Sequence, residues 1–213
     1  MNATRLVAVA GLSVVSLAAL AGFTSARAES RPAVLETRAA ERLYEVDNVH
    51  TSVVFKIRHA GVSNFYGRFN NFTGEVHFDE ANPASTRIAF TVQTDSVDTA
   101  NASRDGHLKN ADFFNSRQFP EITFVSTGIK KSGDAYELTG DLTLQGVTKP
   151  VTATLSGFST GQFMDTDRLG FEAAFSIQRS DFGMTKYLSP DNGEGGALGN
   201  AVNLIVAVEA VGK

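Results

Sequence analysis

Arg104, Asp105 and His107 fall within four residues of one another in Ser103-Arg104-Asp105-Gly106-His107-Leu108. A guanidinium offers a planar fork of donors to a carboxylate, a carbonyl or a phosphate. An imidazole titrates near neutrality, and Asp105 could cap a helix start. Such a trio can grip the polar head of a ligand or tie a helical segment to the body of a fold. The neighbouring Leu108, Phe113 and Phe114 favour the tie. His59 and Arg179 are candidates of a second kind. His59 follows Val53, Phe55 and Ile57 by twos, and Arg179 follows Phe175 and Ile177 in the same way, so both fall in register with an apolar face. A charge there is costly unless paired. Either both meet a polar head at the mouth of a lumen, or both mark strand ends that reach water or a capping carboxylate. Strand-end registers slip easily, which favours the second reading.

Catalysis has little to work with. The four histidines, His50, His59, His77 and His107, form no His-x-x-x-His or His-Glu-x-x-His pair, and there is no cysteine, so no zinc-type ligand set is expected. Leu155-Ser156-Gly157 lacks the first glycine of a nucleophile elbow. Asp165, Asp167 and Glu172 are spaced unlike an EF-hand. A hydrolase would have to gather His50, His59 or His107 with a carboxylate around a nucleophile. No metal and no cofactor are expected.

The elements that must hold these residues are strands. Val53, Phe55 and Ile57 share one face against Lys56 and Arg58; Phe72, Gly74, Val76 and Phe78 alternate with Thr73, Glu75 and His77. Ile88, Phe90 and Val92 repeat the pattern, as do Leu138, Leu142 and Leu144, then Leu169, Phe171, Ala173, Phe175 and Ile177, and finally Val202 to Val208. Strict alternation marks half-buried strands. With shorter runs at Phe65–Phe69, Ile122–Val125 and Val151–Leu155, eight or nine strands are expected, joined by turns such as Lys131-Ser132-Gly133-Asp134. A helix is expected within Asp98–Phe119, ended by Pro120. Phe113 and Phe114 are expected to face opposite sides of it. The glycine-rich Ser189–Asn200 is expected to be a mobile loop.

Eight antiparallel strands with one apolar face each must close into a barrel or pack as two sheets. Closure removes exposed edges, and eight strands enclose either a packed interior or one small ligand. The predicted inward set pairs phenylalanine with small residues. Its members are Phe55, Ile57, Phe72, Phe78, Phe90, Val92, Phe124, Leu142, Phe171 and Phe175 on strands, with Phe113 and Phe114 at one end. Period-two alternation alone does not distinguish this from an outer-membrane barrel with its apolar face outward. Against that stand the absence of Trp, only four Tyr for interfacial girdles, and the helical segment.

The N-terminus bounds the compartment. Arg5, an uncharged run from Leu6 to Phe23 and Ala26-Arg27-Ala28 form a secretory signal over residues 1–28. An uncleaved membrane anchor is the other reading of that run. Cleavage after Ala28 removes two arginines and no acids, leaving 17 basic against 23 acidic residues and a charge of −6. Residues 29–42 read as a tether, and 43–213 as one domain. This acidity disfavours nucleic acid and phosphate-rich membrane surfaces. Without cysteine the core alone must supply stability.

Arg104-Asp105-Gly106-His107-Leu108, Asp112-Phe113-Phe114, Phe119-Pro120-Glu121-Ile122-Thr123-Phe124 and Gly140-Asp141-Leu142-Thr143-Leu144-Gln145-Gly146-Val147-Thr148-Lys149-Pro150 together resemble the YceI-like family. That likeness runs from about Tyr44 to the C-terminus. It implies an all-β fold, a long antiparallel eight-stranded lipocalin-like barrel, exported to the periplasm. It also implies a non-catalytic carrier of an isoprenoid lipid, a polyprenyl diphosphate or the tail of an isoprenoid quinone. Arg104 and His107 would then recognise the head group or dock the helical segment. Each methylene moved from water into an apolar tunnel gains about 0.8 kcal/mol, so a long hydrocarbon binds without polar specificity. Competing expectations are a sequestering binder of diverse hydrophobic molecules in stress, or a periplasmic hydrolase. Stable membrane insertion is not expected; a homodimer is left open.

Overall fold

The structure, a computed structural model, describes residues 41–213. The expected signal peptide and all but the last two residues of the tether lie outside the described residues. Arg42, assigned to the tether, already belongs to the first strand.

Eleven strands and one helix follow in order: β1 (Arg42–Val46), β2 (Ser52–His59), β3 (Ser63–Phe69), β4 (Phe72–Phe78), β5 (Arg87–Gln93), β6 (Val97–Asp98), α1 (Ala102–Leu108), β7 (Glu121–Ser132), β8 (Ala135–Leu144), β9 (Val147–Phe163), β10 (Thr166–Gln178) and β11 (Leu198–Gly212). All pairings are antiparallel. β1, β4, β5, β7, β8, β9, β10 and β11 form a closed ring, with β1 bonded to both β4 and β11. β2, β3 and β6 are continuations rather than extra staves. β1 runs on into β2 beside β11, β4 prolongs β3, and β6 prolongs β5. The result is an eight-stranded barrel whose first three staves are each broken at one level, at residues 47–51, 70–71 and 94–96.

The breaks give the barrel two unlike halves. The lower half is the complete ring. In the upper half β6 pairs with β3 alone, and the chain from 99 to 120 crosses the remaining gap. The turns explain the tight lower and upper corners. Gln145-Gly146 and Met164-Asp165 join paired strand ends with both central residues at positive φ, the twist that suits a two-residue hairpin.

Apolar side chains point inward. Leu155, Leu169, Val76 and Ala210 are fully buried, while charged Arg68, Arg87, Lys130 and Glu137 on other strands of the barrel face water in exposed ion pairs. An outer-membrane barrel would need the reverse arrangement. No helix among the described residues is long and apolar enough to cross a membrane.

The helix is shorter than the sequence predicts. α1 covers seven residues, and the chain from Asn110 to Phe119 is a series of turns. Gly106, the Asn residues and Ser116 are weak helix formers, and no neighbouring residues compensate for them. Its cap is Asn101, whose side chain accepts from the Arg104 N–H at 3.0 Å. Asp105, expected to cap, instead accepts from the Thr99 N–H and Thr99 Oγ1 at 2.9 and 2.5 Å.

Candidate functional site

The barrel is hollow at its upper end. A cavity of about 560 Å³ lies between β2, β3, β10 and β11, under α1 and the loop that precedes β11. Below it a second, wholly apolar space of about 90 Å³ sits in the middle of the barrel. Phe69, Ile122, Leu142 and Leu204 line both. Beneath these the interior is packed solid around Tyr44, Val76, Phe78, Leu155 and Leu169. A volume of several hundred Å³ with an apolar wall and a few polar groups is the usual form of a small-molecule site.

Room for the hollow comes from glycines beneath phenylalanines. A Cβ on Gly67 would meet the Phe55 ring, with Cε1 at 2.7 Å and Cε2 at 2.9 Å. One on Gly74 would meet Phe90 Cδ2 at 2.6 Å, and one on Gly140 would meet the Phe124 ring. In each case the ring sits against a glycine of the adjacent strand. Sequence reading placed small and large residues side by side on one strand; the working pairs are across strands.

Phe55, Ile57, Phe113, Phe114 and Leu142 line the upper cavity. Phe90, Val92, Phe124, Phe171 and Phe175 line the lower one with Leu142. Phe72 and Phe78 line neither. Phe72 stacks on Phe90 at 5.7 Å and Phe78 packs against Phe158 at 5.1 Å, both in solid core. Facing inward puts a residue on the wall of a void only at the height where the void exists. Phe113 and Phe114 reach the same cavity, contrary to the expectation of opposite faces, because they sit in a turn. Phe114 meets Phe69 edge-on at 5.3 Å, and Phe113 meets His107 at 5.1 Å.

Polar groups gather at the mouth. His59, Arg104, His107 and Tyr187 border the upper cavity. Arg104 donates from Nε to Thr99 Oγ1 and from Nη2 to the Thr99 carbonyl, both at 2.8 Å, and lies 4.3 Å over the Phe65 ring. Two of its three nitrogens are thus committed to fixing the segment between β6 and α1. Asp112 receives Lys186 at 3.1 Å and His107 at 3.5 Å. The hydrogen bond from Lys186, then that from His107, holds its carboxyl below the usual range. The Asp112–Lys186 contact links the 99–120 segment to the loop before β11.

Arg179 also lines the cavity, but from a buried position and not at the exposed mouth. It is 2% exposed and donates to the carbonyls of Gly199, Met184 and Leu198 at 2.8, 2.9 and 3.2 Å. Burial lowers its affinity for the proton, opposed by Glu194. Its partners are carbonyls, not the water or carboxylate that the sequence led one to expect. The Gly-rich loop is correspondingly held. The Glu194 carboxylate accepts from the Asn200 and Ala201 N–H groups at 3.0 and 2.8 Å, and Asn200 Nδ2 donates to the Asn192 carbonyl and Ser180 Oγ. Met184 and Tyr187, just before this loop, line the cavity; neither had a periodic signal to reveal it. Phe65 and Leu204 did, lying in register with recognised strands.

Away from the cavity, Asp47, His50 and Glu209 come close enough to hold an ion. Arg168 Nη1 already occupies the centre, 3.1 Å from both Asp47 and Glu209. The His50 ring, then the Val49 N–H, holds the Asp47 carboxyl down at about 2.

A closed antiparallel barrel with an apolar hollow opening at one end defines a lipocalin-like binding barrel. The comparisons with known proteins narrow that class. The chain belongs to the YceI-like family: residues 44–210 match the YceI-like domain. It is 44% identical over 176 residues to protein YceI of Escherichia coli O157:H7, covering 81% of this chain and 87% of that protein. The crystal structure of the Campylobacter jejuni YCEI protein superposes with a TM-score of 0.64 at 30% identity, over 74% of this chain and 91% of that one. A polyisoprenoid binding domain from Saccharophagus degradans, implicated in plant cell wall breakdown, shares the fold at 13% identity and a TM-score of 0.58, over 80% and 98% of the two chains.

Proposed function

We propose that the protein is a non-catalytic carrier that holds an isoprenoid lipid, either a polyprenyl diphosphate or the tail of an isoprenoid quinone, in the upper cavity. Its site of action would be the periplasm after loss of residues 1–28. The observation that carries this reading is the cavity itself: about 560 Å³, walled mainly by phenylalanine, leucine and isoleucine, with few polar groups, most of them at the mouth and one, Arg179, buried and bonded to backbone carbonyls. Burial of hydrocarbon supplies the affinity, at about 0.8 kcal/mol per methylene, and the mouth leaves a head group in contact with water. The polyisoprenoid-binding domain that shares the fold makes this ligand class the first to test.

Native mass spectrometry of protein purified from its own periplasm tests the proposal. A co-purifying mass matching an isoprenoid is expected, on a chain beginning at Glu29. Mixed hydrophobic adducts without an isoprenoid would favour a broad sequestering binder. An empty protein that hydrolyses ester substrates would overturn the carrier.

A further inference from the structure

The floor of the lumen is built by a break in strand alternation. Along β9, Ala153 and Leu155 point inward and are buried, so by twos the next inward residue would be Gly157. It is not. Gly170 of β10 pairs with Ser159, while Glu172 pairs with Ser156, so Phe171 faces two residues, Gly157 and Phe158. Gly157 has φ +63. A glycine in the left-handed region with one extra residue on its strand is a β-bulge, which reverses the phase of every later side chain. Phe158, due to point outward, is thereby turned into the barrel.

There it meets three rings. It stacks on Phe171 at 5.8 Å and 9°, and lies 5.1 Å from Phe78 and 5.7 Å from Tyr136. Phe171 lines the lower cavity from its other side. Of the four rings Phe171 alone borders the lower space, with Phe158 stacked behind it, so a chain entering from the mouth ends on Phe171 backed by Phe158.

We infer that Phe158, swung inward by the bulge at Gly157, fixes the length of hydrocarbon tail that the protein accommodates. This rests on the carrier reading above. At roughly 30 Å³ for a group the size of a water molecule or a methylene, the 560 Å³ cavity takes about twenty carbon-sized groups, or four five-carbon units. The 90 Å³ space adds about three such groups by the same measure. Longer tails must leave their surplus outside the mouth, where it contributes nothing to affinity.

The test is a series of polyprenols of two to ten units, titrated against the full mature chain by displacement of a fluorescent apolar probe. In the wild-type protein affinity should climb about tenfold per unit and level off at about four to five units. Phe158→Ala should move the plateau at least one unit longer and leave the two-unit alcohol unchanged. Phe158→Leu, which keeps most of the packing, should give a smaller shift in the same direction and serves if the alanine variant fails to fold. Affinity rising without a break to ten units in the wild type would overturn the inference while sparing the carrier. An unmoved plateau in a folded variant would do the same. Failure to bind any length would remove the carrier reading and this one together.

Discussion

Gly67→Ala should lower ligand affinity far more than it lowers stability. Gly67 is buried on β3 directly opposite Phe55 of β2, and the three atoms nearest an added Cβ all belong to the Phe55 ring. To restore ordinary contact near 3.7 Å, the ring must move by about 1.5 Å. It cannot move toward β3, so it tips into the upper cavity, which it already lines. Overpacking a solid core costs about 1–3 kcal/mol; here empty space receives the ring, so the cost should stay near 1 kcal/mol, or about 2–4 °C in melting temperature. The ring then displaces two or three carbon-sized groups of ligand at about 0.8 kcal/mol each. A loss of about 2 kcal/mol corresponds to roughly thirtyfold weaker binding. Thermal melts followed by circular dichroism give the first quantity and displacement titration of a four-unit polyprenol the second. A fall of more than 10 °C with unchanged affinity would refute the reasoning, because the ring would have had nowhere to go and the ligand would bind elsewhere.

Arg104→Gln removes both bonds to Thr99 and the contact with Phe65. A polyprenyl diphosphate and the matching alcohol should weaken together, with faster amide exchange over residues 99–119; selective loss of the diphosphate with unchanged exchange would make Arg104 a head-group residue. Arg179→Leu strands the carbonyls of Met184, Leu198 and Gly199, at a cost of about 3 kcal/mol or 6–12 °C, and should speed exchange across residues 184–200; unaltered protection there would show that the loop holds itself. Asp47 binds its proton less readily in the folded state than the ordinary 3.8, so its contribution is full above that value and lost as the pH falls through about 2. His50 is shifted upward by the same contact, so its share is full below its ordinary 6.5 and lost as the pH rises through the higher folded value. The melting-temperature gap between wild type and Asp47→Asn should therefore peak between about pH 4 and 6.5; a gap that widens on going to pH 3 would contradict the assignment.

The staves of the barrel were legible because one face of each is apolar, and period two survives in the sequence wherever that holds. Leu169 to Ile177 is the clearest instance, predicted and observed as one uninterrupted inward row. Less legible was anything that depends on height along the barrel. Phe72 and Phe78 share the inward face of β4, yet no void exists beside them. Phe158 was hidden for a different reason: the bulge moves it out of phase, and its only trace is a glycine inside a strand pattern. Arg179 was flagged by register, but the carbonyls that satisfy it come from residues 5 to 20 positions away, which no local pattern reports. The helix was overextended because turns rich in Asn and Ser can carry apolar residues at helix-like spacing.

The breaks in the first three staves also separate two kinds of work within one molecule. Below them, every strand of the ring is hydrogen-bonded to a neighbour on both sides, so no strand can leave without rupturing two ladders. Above them, the wall from 99 to 120 is fastened by capping bonds, ring contacts and the Asp112–Lys186 pair. Such fastenings release locally, at free energies well below that of global unfolding. On the carrier reading proposed above, cargo exchange and fold maintenance would draw on different sets of bonds. Such a carrier, with no disulfide to guard its native state, would admit and discharge a hydrophobic guest through its upper wall while the lower ring keeps the chain folded.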